Sequence, residues 1–192
     1  MLQMNETMSM IFETLDLDAA SPATVSRCGM VYLEPENIGM ETRLVSWMNT
    51  LPAFLSKDEG FRKVLKQMFT LLIPPCIHFI FRVQKGKLMV PMEHTMLVQT
   101  VMSLAANLMD EFDSSREDNV TERLDQKKVN SWIESIVIFS IVWSFGGILN
   151  AAGREKFDSF IRSLIKGENA SYPRQRKIHT PLPRQGSVFD CV

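Results

Sequence analysis

Ala20 to Pro35, ASPATVSRCGMVYLEP, divides this chain into two kinds of sequence. The approach to it, Asp16 to Arg27, reads as a loop. Its Ser21-Pro22 pair breaks any helix, because proline pushes the preceding residue out of the α region. Gly29 to Leu33, GMVYL, is a short β-rich run bounded by Gly29 and Glu34-Pro35, the pattern of a buried strand. Upstream, residues 4–13 have no clear period, although Met8, Ile11 and Phe12 could share one helical face. A lone strand cannot satisfy its own backbone donors and acceptors. Both ends of the chain are therefore expected to continue into a larger protein.

Beyond Pro35 the apolar residues take helical spacing. Met40 to Leu55 carries Leu44, Trp47, Met48 and Leu51 three and four apart, a pattern that ends near Pro52. Phe61 to Ile73 repeats it, Pro74-Pro75 is expected to interrupt it, and Cys76 to Val83 resumes as a further apolar helix or turn. Val83 to Lys87 is a polar connection. Thr95 to Phe112 predicts a long helix with Met96, Val98, Val101, Met102, Leu104, Ala105, Leu108 and Met109 inward. Asp113 to Lys128 is charged and reads as a solvated loop. Val129 to Leu149 is the most apolar helix and ends at Gly146-Gly147. Arg154 to Lys166 is amphipathic, with Phe157, Phe160, Ile161, Leu164 and Ile165 inside and Gly167 closing it. From Glu168 onward, Pro173, Pro181, Pro183 and the basic run Arg174 to Lys177 describe an extended linker, and Gly186 to Asp190 could begin another strand.

Composition excludes several classes. The chain has 192 residues, 45% hydrophobic and 22% charged, which is ordinary for a globular protein and unlike a disordered tail or disulfide scaffold. Twenty-one basic against 22 acidic side chains leave a net charge of −1, so no basic field points to nucleic acid or an anionic membrane. Cys28, Cys76 and Cys191 are scattered and odd in number, which suits a reducing intracellular compartment. His78, His94 and His179 are isolated, so no metal site is expected. The amino terminus lacks the basic flank and apolar block of a signal peptide. The apolar run Ile136 to Leu149 is shorter than the roughly 20 residues that span a bilayer. A soluble protein with a buried helix at that place is the expectation.

Catalytic motifs are missing from the sequence. It contains neither a GxxxxGK[ST] phosphate loop nor a glycine-rich dinucleotide fingerprint. Leu108-Met109-Asp110-Glu111 has the composition of an acidic strand end but sits in a helical pattern, so it reads as a helix C-terminus. No nucleophile is paired with a base at a recognisable spacing. This stretch alone is not expected to hold a complete catalytic site.

The residues Ala20 to Pro35 strongly resemble the second AAA+ module of dynein heavy chains, in the axonemal form. The resemblance includes the preceding MSMIFETLDLD (Met8 to Asp18) and continues, in family order, through Leu44 to Pro52 (LVSWMNTLP), Leu72 to Cys76 (LIPPC), Leu108 to Phe112 (LMDEF), Asn130 to Gly147 and Gly153 to Asn169. It implies a mainly α fold: residues 1–35 as the end of the large α/β AAA+ subdomain, a remnant loop plus one short strand; 36–167 as the helical lid; 168–192 as a linker toward the third module. The phosphate loop, the acidic Walker B strand and the sensor strand would lie upstream. The function implied is a share in an ATP-driven, minus-end-directed microtubule motor for ciliary or flagellar movement. ATP and Mg belong to the intact ring, with none expected on this stretch alone, and the nucleotide of the second module is expected to be structural. Implied partners are neighbouring AAA+ modules of the same heavy chain, dynein intermediate and light chains, and microtubules, with no nucleic acid and no membrane. The implied location is the cytoskeleton of a cilium or flagellum, the axoneme.

By the same resemblance Arg27, just before the last core strand, is an arginine finger reaching the ATP of the neighbouring first module. A guanidinium suits that role because it is always charged and offers a planar fork of donors to phosphate oxygens. Comparable fingers are worth about 10³–10⁵ in rate. Ser21, Thr24 and Ser26 are expected to pin the loop through side-chain-to-backbone bonds. Cys28 is expected to be small and buried, and Gly29 to allow close backbone approach. Arg154, opening the last lid helix, is a nucleotide-sensor candidate. A cation there opposes the helix dipole, which hints at an external partner. The competing reading is a non-enzymatic helical scaffold whose lid surface binds a partner.

Overall fold

Three side chains begin the long helices by accepting from otherwise unpaired backbone donors. Asp58 Oδ1 accepts from Phe61 N at 3.0 Å, Asp125 Oδ1 from Lys127 N at 2.6 Å and Asn150 Oδ1 from Gly153 N at 2.9 Å. The computed structural model describes residues 5, 7–14, 16–33, 38–84, 88–113, 125–172, 178–183 and 185–190. It falls into two units, residues 1–37 and 38–192.

In the larger unit, α2 (Met40–Met48) and the single-turn α3 (Ala53–Ser56) lead into α4 (Glu59–His78). Then come α5 (His94–Met109), α6 (Gln126–Gly147) and α7 (Ala151–Lys166). α6 lies against both α4 and α5 and also meets α7. It is buried nearly all round, as a central helix must be, while α7 has one polar face. Phe69, Phe112, Phe145 and Phe157 are the largest fully buried side chains. Gly167, at φ 74°, closes α7: Gly167 N donates to Leu164 O at 3.1 Å and Glu168 N to Ser163 O at 2.9 Å. Leu88 pairs antiparallel with Leu149, Met89 N donating to Ile148 O at 2.8 Å.

The prolines correct two expectations. Pro74-Pro75 do not interrupt the helix: α4 runs through them and ends in one wider turn, Phe79–Val83, where Gln84 N donates to Phe79 O at 3.0 Å. Each internal proline costs about 3 kcal/mol in lost bonding and steric conflict. Burial of Ile73, Cys76, Phe79 and Ile80 beside them, at about 1.5–3 kcal/mol for each large apolar side chain, outweighs that cost. Ser21-Pro22, conversely, start a helical turn. α1 (Pro22–Val25) has proline at its first position, where no donor is lost, and Ser21 as its cap.

The predicted strand does not form. Among the described residues there is no β-strand, and Met30, Val31, Tyr32 and Leu33 are exposed, Tyr32 at 82%. A strand needs a neighbouring ladder, and these residues have none within the described chain. Met8, Ile11 and Phe12 are likewise exposed and form no helix. Smaller corrections fall on helix faces. The pattern over Met40 to Leu55 breaks after Met48, and on α5 Leu97 is buried while Met96 and Leu108 are exposed. Gly186 to Asp190 holds a short 3-10 turn, Val188–Asp190, rather than a strand start. The charged loop falls mainly on residues 114–124 and the basic run on 173–177, both outside the described residues.

Two helical stretches, Glu59–Val83 and Gln126–Gly147, are long and apolar enough to cross a membrane. α6 therefore exceeds the apolar run that marks it in the sequence. Here most of each apolar window is buried inside the domain, as core helices are.

Candidate functional site

Arg27 sits at the end of a self-held turn in the smaller unit. Thr24 N donates to Ser21 Oγ at 3.2 Å, the Ser21 and Thr24 hydroxyls lie 2.9 Å apart, and Ser26 Oγ donates to Ala23 O at 3.1 Å. Arg27 N and Cys28 N close onto Thr24 O and Val25 O, each at 3.2 Å. Ser21 and Ser26 thus bond the backbone as expected, whereas the Thr24 hydroxyl meets that of Ser21 instead. Arg27 is exposed, and among the described residues its guanidinium has no ion pair or hydrogen bond. Two neighbours differ from expectation. Cys28 is exposed rather than buried, and Gly29 has open space where a Cβ would stand, so no close approach requires glycine there. With no layer packed over this segment in its own unit, neither residue is enclosed.

Arg154 lies in the larger unit, in the first turn of α7, and its guanidinium turns back onto the end of α6. Nε donates to Gly146 O at 3.3 Å and Nη2 to Gly147 O at 3.1 Å. The cation is therefore at an unfavourable end of its own helix and a favourable end of the preceding one. Two terminal carbonyls of α6 gain a charged donor, Gly146 O in addition to the Leu149 N–H it already accepts at 3.1 Å. An internal partner thus accounts for the arginine that the sequence left without one. Over the same guanidinium lies the ring of Phe189, its centroid 5.6 Å from Cζ. That ring is edge-on to Trp143 at 5.9 Å and close to Phe157 at 6.3 Å. A Cβ at Gly146 would come within 2.3 Å of Phe189, so only glycine admits the ring here.

The sequence did not single out Phe189, nor the polar contacts that seat its segment. Residues 178–183 and 185–190, read as linker from their prolines, pack on α6 and α7 and bury Ile178 and Val188. Glu134, 1% exposed in the middle of α6, accepts from His179 N at 2.8 Å. Asp158 and Arg162, one turn apart on α7, form an ion pair at 2.9 Å. The only hint in the sequence was a carboxylate, Glu134, inside the most apolar helical run.

A shallow cleft of about 460 Å³ is lined by Met40, Pro74, Ile77, His78, Phe81, Arg82 and His94. It gathers two of the isolated histidines, with His94 edge-on to Phe81 at 4.1 Å, but no carboxylate or thiol. Among the described residues no three His, Cys, Asp or Glu side chains come together as metal ligands would.

The larger unit is thus a helical bundle with Arg154 tied into its helix ends, and Arg27 lies on a turn of the smaller unit. Residues 65–192 match the family model described as dynein heavy chain AAA lid domain. Over 98% of its length the chain is 37% identical to dynein axonemal heavy chain 3 of Homo sapiens. It is 35% identical over its full length to dynein axonemal heavy chain 12 of Mus musculus, and 31% over 98% to dynein axonemal heavy chain 1 of Homo sapiens. The chain belongs to the dynein heavy chain AAA lid family, and it spans only about 4–6% of the length of these relatives.

Proposed function

We propose that this chain is the lid region of the second AAA+ module of an axonemal dynein heavy chain, and that it acts within an ATP-driven microtubule motor. The similarity to axonemal heavy chains over nearly all of the chain carries this reading. Residues 1–35 belong to the end of the α/β subdomain, 36–167 to the lid, and 168–192 lead toward the next module. The exposed run Met30 to Leu33 is what a core strand offers when its sheet is supplied by other residues. Motor partners are the neighbouring modules, intermediate and light chains, and microtubules, in the axoneme.

Arg27 is the arginine finger of this reading. Its exposed guanidinium and hydroxyl-pinned turn support the assignment: the backbone is held while the charged head stays available. ATP with Mg, held by the adjacent module, supplies the transferable phosphoryl group. Arg27 places donors on phosphate oxygens and offsets the negative charge that grows there. The lid moves as a packed body, so closure of one site is passed on as rigid rotation. In the full-length motor, Arg27→Ala should lower microtubule-stimulated ATPase at least about tenfold with nucleotide-free folding intact. Unchanged turnover removes the finger assignment. Arg154 is the nucleotide-sensor candidate of the same reading: two of its five donors, on Nε and Nη2, engage α6, and the others are left for a phosphate.

A further inference from the structure

We propose that residues 178–183 and 185–190 form a detachable strap, and that Phe189 near its end is the wedge holding the Arg154 guanidinium on the C-terminal carbonyls of α6. This stands independently of any role for Arg27.

The strap is held mainly through its own main chain. Arg162 Nη1 donates to Pro183 O at 2.7 Å and Nη2 to Gly186 O at 3.0 Å, while Asp158 Oδ1 accepts from Val188 N at 2.6 Å. The Asp158–Arg162 pair is therefore a clamp with a donor end and an acceptor end, both reading backbone atoms. Glu134 performs the same task at His179 N. Asp190 Oδ2 accepts from Ser187 N at 2.6 Å and fixes the turn at Gly186, whose φ is 79°. Buried apolar anchors are few along the described strap, Ile178 and Val188. Leu182 and Phe189 add half-buried contacts with the core, so the strap buries less apolar area than a core helix and opens more readily than one.

Phe189 joins this segment to the helix ends. The Arg154 head is confined between the Gly146 and Gly147 carbonyls and the Phe189 ring, and the ring rests directly on Gly146. Lifting the strap removes the ring and opens that side of the guanidinium to water, which competes for its donors. Strain carried along the strap thus reaches the junction of α6 and α7 through Phe189. The coupling is reciprocal: whatever draws Arg154 off α6 weakens the seat of Phe189.

Hydrogen exchange followed by NMR on the 192-residue chain tests this. In the unsubstituted chain, the amides of His179 and Val188 and the Arg154 Nε–H should exchange together, faster than the core amides of Leu72 and Ile141. Phe189→Ala should accelerate all three by about tenfold or more while Leu72 and Ile141 stay within about twofold. If the variant also loosens the core, Arg162→Ala serves instead, because it cuts the clamp at Pro183 and Gly186 without touching Arg154. The same pattern is expected from it. Strap amides that accelerate while Arg154 Nε–H does not would overturn the coupling. Strap amides that exchange only with the core in the unsubstituted chain would overturn the strap.

Discussion

Pro74→Ala should stabilise this protein, an unusual direction for a substitution inside a helix that the family resemblance spans. Pro74 lies within α4 and is exposed, so little packing is lost with its ring. Alanine restores a donor to Thr70 O and removes the clash with the preceding turn. Proline is about 3 kcal/mol worse than alanine in a helix interior. Against this, the more flexible unfolded chain regains about 0.4–1 kcal/mol of entropy when the proline is removed. The balance is about 2 kcal/mol of added stability. For a chain of 192 residues this is a rise in Tm of about 4–8 °C. Thermal and urea melts of the two proteins, read by far-UV circular dichroism, give the comparison, and a protected amide at position 74 in hydrogen exchange gives its local counterpart. Pro75→Ala is the internal control, since Pro75 is buried and its lost packing offsets the restored bond. If Pro74→Ala melts at or below the parent temperature, α4 is not continuous through the prolines and the argument from compensating burial fails.

Two further outcomes follow from charge and burial. Lys66 lies 2.5 Å from the Glu41 carboxylate, and its hydrogen bond and charge hold that carboxyl below the usual range. A depressed folded value means the pair favours folding above the unfolded pKa and loses that contribution as pH falls through the folded one. NMR titration should show Glu41 ionising at lower pH than an ordinary glutamate and returning to normal in Lys66→Met, with melting unchanged because the pair is exposed. Burial pushes the Cys76 thiol far up, whereas Cys28 is exposed. Iodoacetamide mapped by mass spectrometry should therefore label Cys28 in the folded chain and reach Cys76 only on unfolding. Equal rates at both sites would contradict the buried position of Cys76.

Reading the helices from spacing worked where each helix buries a defined stripe. Phe157, Ile161, Leu164 and Ile165 on α7 fall as their intervals predict, and Gly167 ends the helix with the positive φ that favours glycine. The same logic misplaced Met96 and Leu108 on α5, because spacing gives a stripe but not its exact edges. It failed at Pro74-Pro75 because a local penalty was weighed without the tertiary burial that overrides it. It failed at Gly29 to Leu33 for the opposite reason, since a β-rich pattern states a preference that only a neighbouring strand can satisfy. Among the candidate site residues, Arg27 and Arg154 were singled out by the family resemblance, and Arg154 also as an anomaly of charge; the bonds of Ser21 and Ser26 were legible because they are local.

Local chemistry sufficed for the helical stripes and for the glycine that closes α7, since those interactions join residues a few positions apart. The resemblance to axonemal dynein also needed no coordinates. Where the tail of the chain goes required three-dimensional packing. Phe189 meets Gly146 and Arg154, and His179 meets Glu134, across separations over which no periodicity operates. Prolines and basic residues forecast an extended segment, but a buried carboxylate and an Asp–Arg pair on α7 supply backbone partners that composition cannot show. Such contacts arise only when helices are already packed and their ends brought together, and so they belong to the folded domain rather than to any stretch of it.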